Sequence, residues 1–295
     1  MAIADFPASV STGLTLVNTV PALAALGETE VAYADASVNE LRTYRWDGQT
    51  FALVGAGLAV TLATPALCAI SPTEVILFDG TAALLQAYRW DGAAWSIIAT
   101  GVAVASAGRA SISVLDVNEN YTDIAFMDVT NDDLRVYRWD GQTFTQVGTD
   151  ANFAVAAVSI AAIDENTIAV CFEDTVDFSL TTYRFDGAAW TEIGTHLGIT
   201  GTGVPSIASV NKNKIVYMDS GNEDLRTYLF DGSTWAAVDG ELAVAGTFAQ
   251  SALTALNSMD IAYIDDVNEK LKVYRLQEFI SGEGPYNQQI LKRLS

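Results

Sequence analysis

The fold class that the sequence predicts is all-β: a six-bladed β-propeller with four antiparallel strands per blade. Three observations predict it. A tyrosine recurs at Tyr44, Tyr88, Tyr137, Tyr183, Tyr228 and Tyr274, at spacings of 44, 49, 46, 45 and 46 residues, which is the length of one four-stranded blade. Each period has the same internal order, a small-residue apolar run followed by a second apolar run that ends in aspartate (Asp35, Asp79, Asp128, Asp174, Asp219, Asp265), and the tyrosine follows nine residues later. Five periods then carry a hairpin motif, LRTYRWDGQTF from Leu41 and its relatives LQAYRWDGAAW, LRVYRWDGQTF, LTTYRFDGAAW and LRTYLFDGSTW.

Each element follows from this pattern. The first apolar run (PALAAL, PALCAI, ASISVL, VSIAAI, PSIASV, SALTAL) is rich in small residues, as an innermost strand crowded round a central axis must be. The second run and the leucine six residues after its aspartate bound a loop of constant length. The third strand holds the tyrosine. Asp-Gly reads as the centre of a two-residue hairpin turn with positive φ at both positions. That counting pairs Trp46 with Gln49 and sets Tyr44 opposite Phe51, with the same expectation for Tyr88 and Trp95, Tyr137 and Phe144, Tyr183 and Trp190, and Tyr228 and Trp235.

The sixth copy, LKVYRLQEF from Leu271, lacks the Asp-Gly turn and a fourth strand. The segment DFPASVSTGLTLVNTVPALAAL near the start matches TFALVGAGLAVTLATPALCAI of the first period, so the N-terminal segment is expected to complete the last blade and cover the edge left open there. Residues 1–280 read as one propeller domain and 281–295 as a C-terminal tail.

The repeated form, Tyr-Arg-x-Asp-Gly-x-x-Trp-x-x-Val-Gly, resembles the tectonin repeat, and a tyrosine and a tryptophan seven residues apart round a tight turn are similar to the kelch repeat. Kelch blades carry a double glycine at the end of the second strand, where this chain has aspartate. The tectonin resemblance implies a six-bladed propeller and, because that family includes glycan- and lipopolysaccharide-binding lectins, a carbohydrate partner. The Trp-Asp dipeptide does not signal the Trp-Asp-repeat family, whose Gly-His partner motif is missing.

Composition narrows the function classes. Half of the 295 residues are apolar and 17% are charged, enough for a core, while a formal charge of −21 repels phosphate backbones and anionic membranes. Nucleic acid is therefore not an expected partner, nor is membrane insertion, as no apolar run reaches 18 residues. The first residues, MAIADFPASV, do not read as a secretory signal, so a virion-associated or cytoplasmic location is the expectation. Cys68 and Cys171, the only cysteines, sit at different phases of the repeat and read as buried small residues rather than a disulfide or a metal pair.

Catalytic chemistry is hard to assemble. His196, the only histidine, falls in GTHLGITGTG and reads as an exposed loop residue without nucleophile or orienting partner. No cofactor and no metal site is expected, although the loops DASVNE, DVTNDD, DTVDFS, DSGNED and DDVNEK place acids along one rim, read as solvated turns. Arg45, Arg89, Arg138, Arg184 and Arg275 point away from the tyrosine face and read as structural partners of nearby acids. In the tail, Ile290, Leu291 and Leu294 share a helical face with Lys292 and Arg293 beside it, a basic segment read as a docking peptide. The expectation is a non-enzymatic interaction or structural module, a virion or other large-assembly component with protein partners. The alternative is a tectonin-like lectin for cell-surface glycans, with a glycoside hydrolase behind it.

Overall fold

The computed structural model describes residues 14–15, 21–99, 101–104, 110–117, 120–128, 130–131, 133–152, 157–174, 177–199, 204–219, 224–238, 242–243, 252–265 and 270–276. They form six antiparallel sheets, one per blade, each a meander from an inner to an outer strand. Strand β1 (Leu14–Thr15) opens the described chain. Blade 1 holds β2 (Pro21–Ala25), β3 (Glu30–Asp35), β4 (Glu40–Trp46) and β5 (Phe51–Ala59). Blade 2 holds β6 (Ala66–Ser71), β7 (Glu74–Asp79), β8 (Leu84–Trp90) and an outer strand broken into β9 (Trp95–Ile97) and β10 (Val102–Ala103). Blade 3 holds β11 (Ala110–Val117), β12 (Thr122–Asp128), β13 (Asp133–Trp139) and β14 (Phe144–Asn152), and blade 4 holds β15 (Val158–Asp164), β16 (Thr167–Asp174), β17 (Asp177–Phe185) and β18 (Trp190–Ile199). Blade 5 holds β19 (Ser206–Asn211), β20 (Lys214–Asp219), β21 (Asp224–Phe230) and a broken outer strand, β22 (Trp235–Ala237) and β23 (Leu242–Ala243). Blade 6 has β24 (Leu253–Ala255), β25 (Asp260–Asp265) and β26 (Lys270–Arg275), and its fourth strand is β1.

The closure follows the expected register. Leu14 pairs with Leu271 as Leu58 pairs with Leu41, Ala151 with Leu134 and Leu197 with Leu180. At the axis the inner strands form a closed ring in which β2 packs against both β6 and β24. Hydroxyls tie that ring together: Ser111 and Ser113 accept from the Ile160 and Ala162 amides of the next blade at 3.0 and 2.9 Å, Ser159 accepts from Ile207 at 3.0 Å, and Thr254 accepts from Ala25 across the closure at 3.1 Å. Small inner-strand residues thus let neighbouring backbones come within reach of a one-carbon side chain.

The hairpin differs from the expected two-residue turn. Trp46, not Tyr44, stands opposite Phe51, and Tyr44 pairs with Leu53. Asp47 and Thr50 close the turn through Asp47 N–H to the Thr50 carbonyl at 3.2 Å, so four residues lie between the strands. Only the glycine takes positive φ (98° at Gly48). The aspartate acts through its side chain, Oδ1 accepting from the Gln49 and Thr50 amides at 2.8 and 2.7 Å. This is an Asx turn, and it explains Asp at this place better than backbone conformation does. The aromatic clasp is therefore Trp46–Phe51, Trp90–Trp95, Trp139–Phe144, Phe185–Trp190 and Phe230–Trp235, with ring centroids 4.6 to 5.4 Å apart.

The hairpins also join one blade to the next. In blade 1 the Ala56 amide donates to the Ala93 carbonyl in the blade 2 turn at 2.9 Å; Thr149 repeats this with Ala188 at 2.7 Å, and Thr195 with Ser233 at 2.9 Å. The residue before each donor is a glycine with positive φ (Gly55, Gly148, Gly194), and a Cβ on it would lie 2.0 to 2.5 Å from that same carbonyl oxygen. Both cysteines are buried thiols outside any disulfide, and burial pushes the Cys68 thiol up to about 12.

Candidate functional site in the clefts between blades

One face of each third strand carries the repeated leucine's neighbours, the tyrosine and the clasp aromatic, and this face looks at the preceding blade. Tyr44 packs in a cluster with Ile264, Leu271 and Val273 of blade 6, Tyr137 with Phe78 and Leu85 of blade 2, and Tyr228 with Cys171 and Leu180 of blade 4. Above the packed layer the cleft opens. Between blades 1 and 2 it forms a cavity of about 320 Å³, walled by Leu58, Val60 and Thr61 on one side and by Asp79, Gln86 and Tyr88 on the other.

Strand period puts the residue two before each tyrosine on the same face. In blades 1, 3 and 5 it is arginine, and the residue two before that is an acid. Arg42 Nε donates to Glu40 at 2.7 Å; Arg135 donates to Asp133 at 2.7 Å and to Asp150 of the outer strand at 3.3 Å; Arg226 grips Asp224 with two bonds of 3.0 Å. The paired side chains are 26% and 34% exposed in blade 1, 11% and 19% in blade 3, and 14% and 6% in blade 5. Burial works against the charge on Arg42, yet the hydrogen bonds and charges of Glu40 and Tyr44 together outweigh it and its pKa stays above the ordinary value. Burial raises Tyr44 and Tyr228, so Arg42 and Arg226 each have a neutral hydroxyl beside them.

Blades 2, 4 and 6 put Gln86, Thr181 and Lys272 in the arginine place and Leu84, Ser179 and Lys270 in the acid place. Tyr88 donates to Gln86 at 3.1 Å. In blade 4 the acid comes from the outer strand instead: Glu192 accepts from Thr181 and Tyr183, both at 3.2 Å, and contacts the His196 ring. His196 is therefore a strand residue of β18, not a loop residue, though its side chain is half exposed. Pairing places it where blade 3 has Asp150 and blade 1 has Gly57. A Cβ on Gly57 would meet Glu40 Oε2 at 2.6 Å, so a larger residue there would push the carboxylate aside.

The arginines singled out from the repeat lie on the other face. Arg45, Arg89, Arg138 and Arg275 each pair with the acid at the start of their own second strand (Glu30, Glu74, Asp123, Asp260), and Arg184 reaches Thr167 at 3.4 Å. Of the rim acids expected to be solvated, Asp35 is instead 1% exposed and folds its own loop by accepting the Ser37 amide at 2.9 Å; Asp79, 5% exposed, does the same in blade 2 at 2.8 Å. Among the described residues no group of three or more His, Cys, Asp or Glu side chains is placed to hold a metal ion. Ile290, Leu291, Lys292, Arg293 and Leu294 lie outside the described residues. Arg42, Arg135 and Arg226 escaped sequence reasoning because it weighed what recurs in every blade. Their signal was an acid-x-Arg-x-Tyr string in every second blade.

No protein-family model matches the chain, and no curated protein matches it in sequence. Solved structures do resemble it. SapL1 lectin in complex with α-methyl fucoside superposes with a TM-score of 0.64 at 15% identity, over 89% of this chain and 94% of that one. The Aleuria aurantia lectin, also with α-methyl-L-fucoside, gives 0.64 at 15% identity over 92% and 95%. The α-L-arabinofuranosidase Arb93A of Fusarium graminearum gives 0.55 at 11% identity over 90% and 97%. At these identities the likeness is one of fold: this chain has the architecture of propeller lectins, which one family of glycoside hydrolases shares.

Proposed function

We propose that the protein is a carbohydrate-binding propeller that takes neutral sugars in the clefts between its blades. The observation that carries this reading is the acid-Arg-Tyr constellation in blades 1, 3 and 5. The scaffold does not require it, since blades 2 and 4 place the same tyrosine and clasp aromatics without it. A guanidinium held by a carboxylate of its own strand presents fixed donors next to fixed acceptors. Vicinal hydroxyls of a sugar ring meet both demands at once, donating to the acid and accepting from the arginine. The carboxylate at every arginine, on a body of charge −21, disfavours anionic ligands. Leu53, opposite the buried Tyr44 and itself 53% exposed, adds an apolar surface for a C–H face of the ring.

This is the alternative that the tectonin-like motif implied, and the fucoside-bound lectins of the same architecture support it. The virion-component reading draws its case from the tail and from surface charge, and nothing in the described structure adds to it. A glycan array that includes α-fucosides, followed by calorimetry on the hits, tests the proposal. Combined replacement of Arg42, Arg135 and Arg226 by alanine should weaken binding at least ~10-fold, the scale of hydrogen bonds to a charged group. Full affinity in a folded triple variant would refute the site, and turnover of aryl arabinofuranosides or fucosides would replace the lectin with an enzyme.

A further inference from the structure

The six blades are not six copies of one cleft. Around the ring the acid and arginine appear in blades 1, 3 and 5 and are lost in blades 2, 4 and 6, so a threefold chemical pattern lies over a sixfold scaffold. We infer that the protein is trivalent: each chain holds three like sugar sites, at Glu40–Arg42, Asp133–Arg135 and Asp224–Arg226, one on every second cleft, and its partner is a surface or polymer that displays many copies of one sugar. This rests on the carbohydrate reading and adds to it the number, the position and the consequence of the sites.

The alternation separates like sites by a full blade that lacks them. Two bound chains of a branched glycan then do not collide in adjacent clefts, and one protein can bridge separate chains. Sites facing outward in three directions from a closed ring cannot all engage one short ligand, so they gain from avidity only on a multivalent target. The clefts are not equal in access. The blade 1 pair is the most exposed, at 26% and 34%, whereas in blade 3 Asp150 of the outer strand already engages Arg135. The blade 1 site should therefore fill first.

The intervening cleft between blades 1 and 2 has space but not the chemistry. Its cavity of about 320 Å³ is lined by Gln86 where the neighbouring clefts have arginine, and Leu84 stands at the acid position of that strand. Transplanting the pair there is a gain-of-function test that loss by misfolding cannot imitate.

Calorimetric titration with the best monosaccharide from the array reads the stoichiometry directly. The expected value is three per chain, falling to two in each of Arg42→Ala, Arg135→Ala and Arg226→Ala. Arg89→Ala, which removes the same charge from the outer face of a blade without the constellation, should leave it at three. Leu84→Glu with Gln86→Arg should raise it to four. The wild-type protein should cross-link a multivalent conjugate of that sugar into a precipitate, and the double variant Arg42→Ala with Arg135→Ala, with one site left, should not. A stoichiometry of six, or one that the arginine variants do not lower, would overturn the alternation while leaving the sugar reading in place. No binding to any glycan would overturn both.

Discussion

In the third strand of blade 1, Tyr44 and Trp46 stand in places that four further blades fill with tyrosine and an aromatic, whereas Arg42, two residues earlier on the same face, gives way to Gln86 in blade 2 and Thr181 in blade 4. The two ends of one strand answer to different demands. The aromatic end packs against the preceding blade and fastens the hairpin, a task that recurs at each joint of the ring. The other end lines the cleft, where the side chain changes from blade to blade. Repetition marks the scaffold here, and departure from repetition marks the candidate site.

The largest effect expected at the uniform end comes from its glycines, which are of two kinds. Gly48 has φ of 98° with nothing within 4 Å of a built Cβ, whereas Gly55 has φ of 65° and a Cβ there would lie 2.0 Å from the Ala93 carbonyl oxygen. Gly48→Ala should cost ~1–2 kcal/mol through backbone strain alone. Gly55→Ala should cost ~3 kcal/mol or more, because strain is joined by a backbone clash and by loss of the Ala56–Ala93 bond between blades. Urea unfolding of both variants measures the contrast. Equal losses would mean that the joint between blades 1 and 2 does not depend on that approach.

A smaller and sharper effect lies in the clasp itself. Trp95 Nε1 donates to Thr43 of the preceding blade and Trp235 Nε1 to Thr182, both at 2.9 Å. Where the preceding blade offers Ala87 or Val273, the clasp residue is Phe144 or Phe51, which has nothing to donate. Trp190 breaks the rule. It packs with Val136, and its buried Nε1 has no hydrogen-bond partner among the described residues. Thr182→Val should therefore destabilise the protein by ~1–3 kcal/mol by orphaning a second indole N–H, and Val136→Thr should stabilise it by ~0.5–1.5 kcal/mol. Thermal melts of the pair decide this. A Val136→Thr variant no more stable than the parent would mean that the Trp190 indole does not point at that position.

These contrasts also explain what could be read in advance. The ring, its strand order and its closure by the N-terminal segment were legible because each recurs with fixed spacing, and spacing survives without coordinates. The hairpin register was misread by two residues, since Asp-Gly was given the role of a backbone turn centre when Asp47 works through its carboxylate. His196 was assigned to a loop because the glycines round it look like loop signals, yet Gly194 is the bulge residue that lets β18 reach Ser233. The cleft arginines were hidden for the opposite reason. A search for what repeats passes over an element present in every second copy, although strand alternation alone puts Glu40, Arg42 and Tyr44 on one wall.

The smallest expected effect is the acid response of the turns, and it separates the uniform end from the cleft by titration. Asp47, Asp91, Asp140, Asp186 and Asp231 all have carboxyls held below the ordinary range, chiefly by the backbone amides three and two residues on, Thr234 and Ser233 in the case of Asp231, whose value falls to about 2. A depressed pKa in the folded protein means that the unfolded chain binds the proton more readily, so the stabilisation is complete above about pH 4, the ordinary aspartate value, and disappears as pH falls to about 2. These carboxylates are fully exposed, so water screens each contribution and the five turns should soften together as a shallow decline rather than a cooperative step. Asp231→Asn keeps the amide-accepting oxygen and removes the titration. Melting temperatures taken from pH 5 down to pH 2 should show the parent falling more steeply than the variant, with the gap between them closing at the acid end. Parallel curves would mean that the Asp231 charge adds nothing to the turn and that geometry alone makes aspartate the residue at this place.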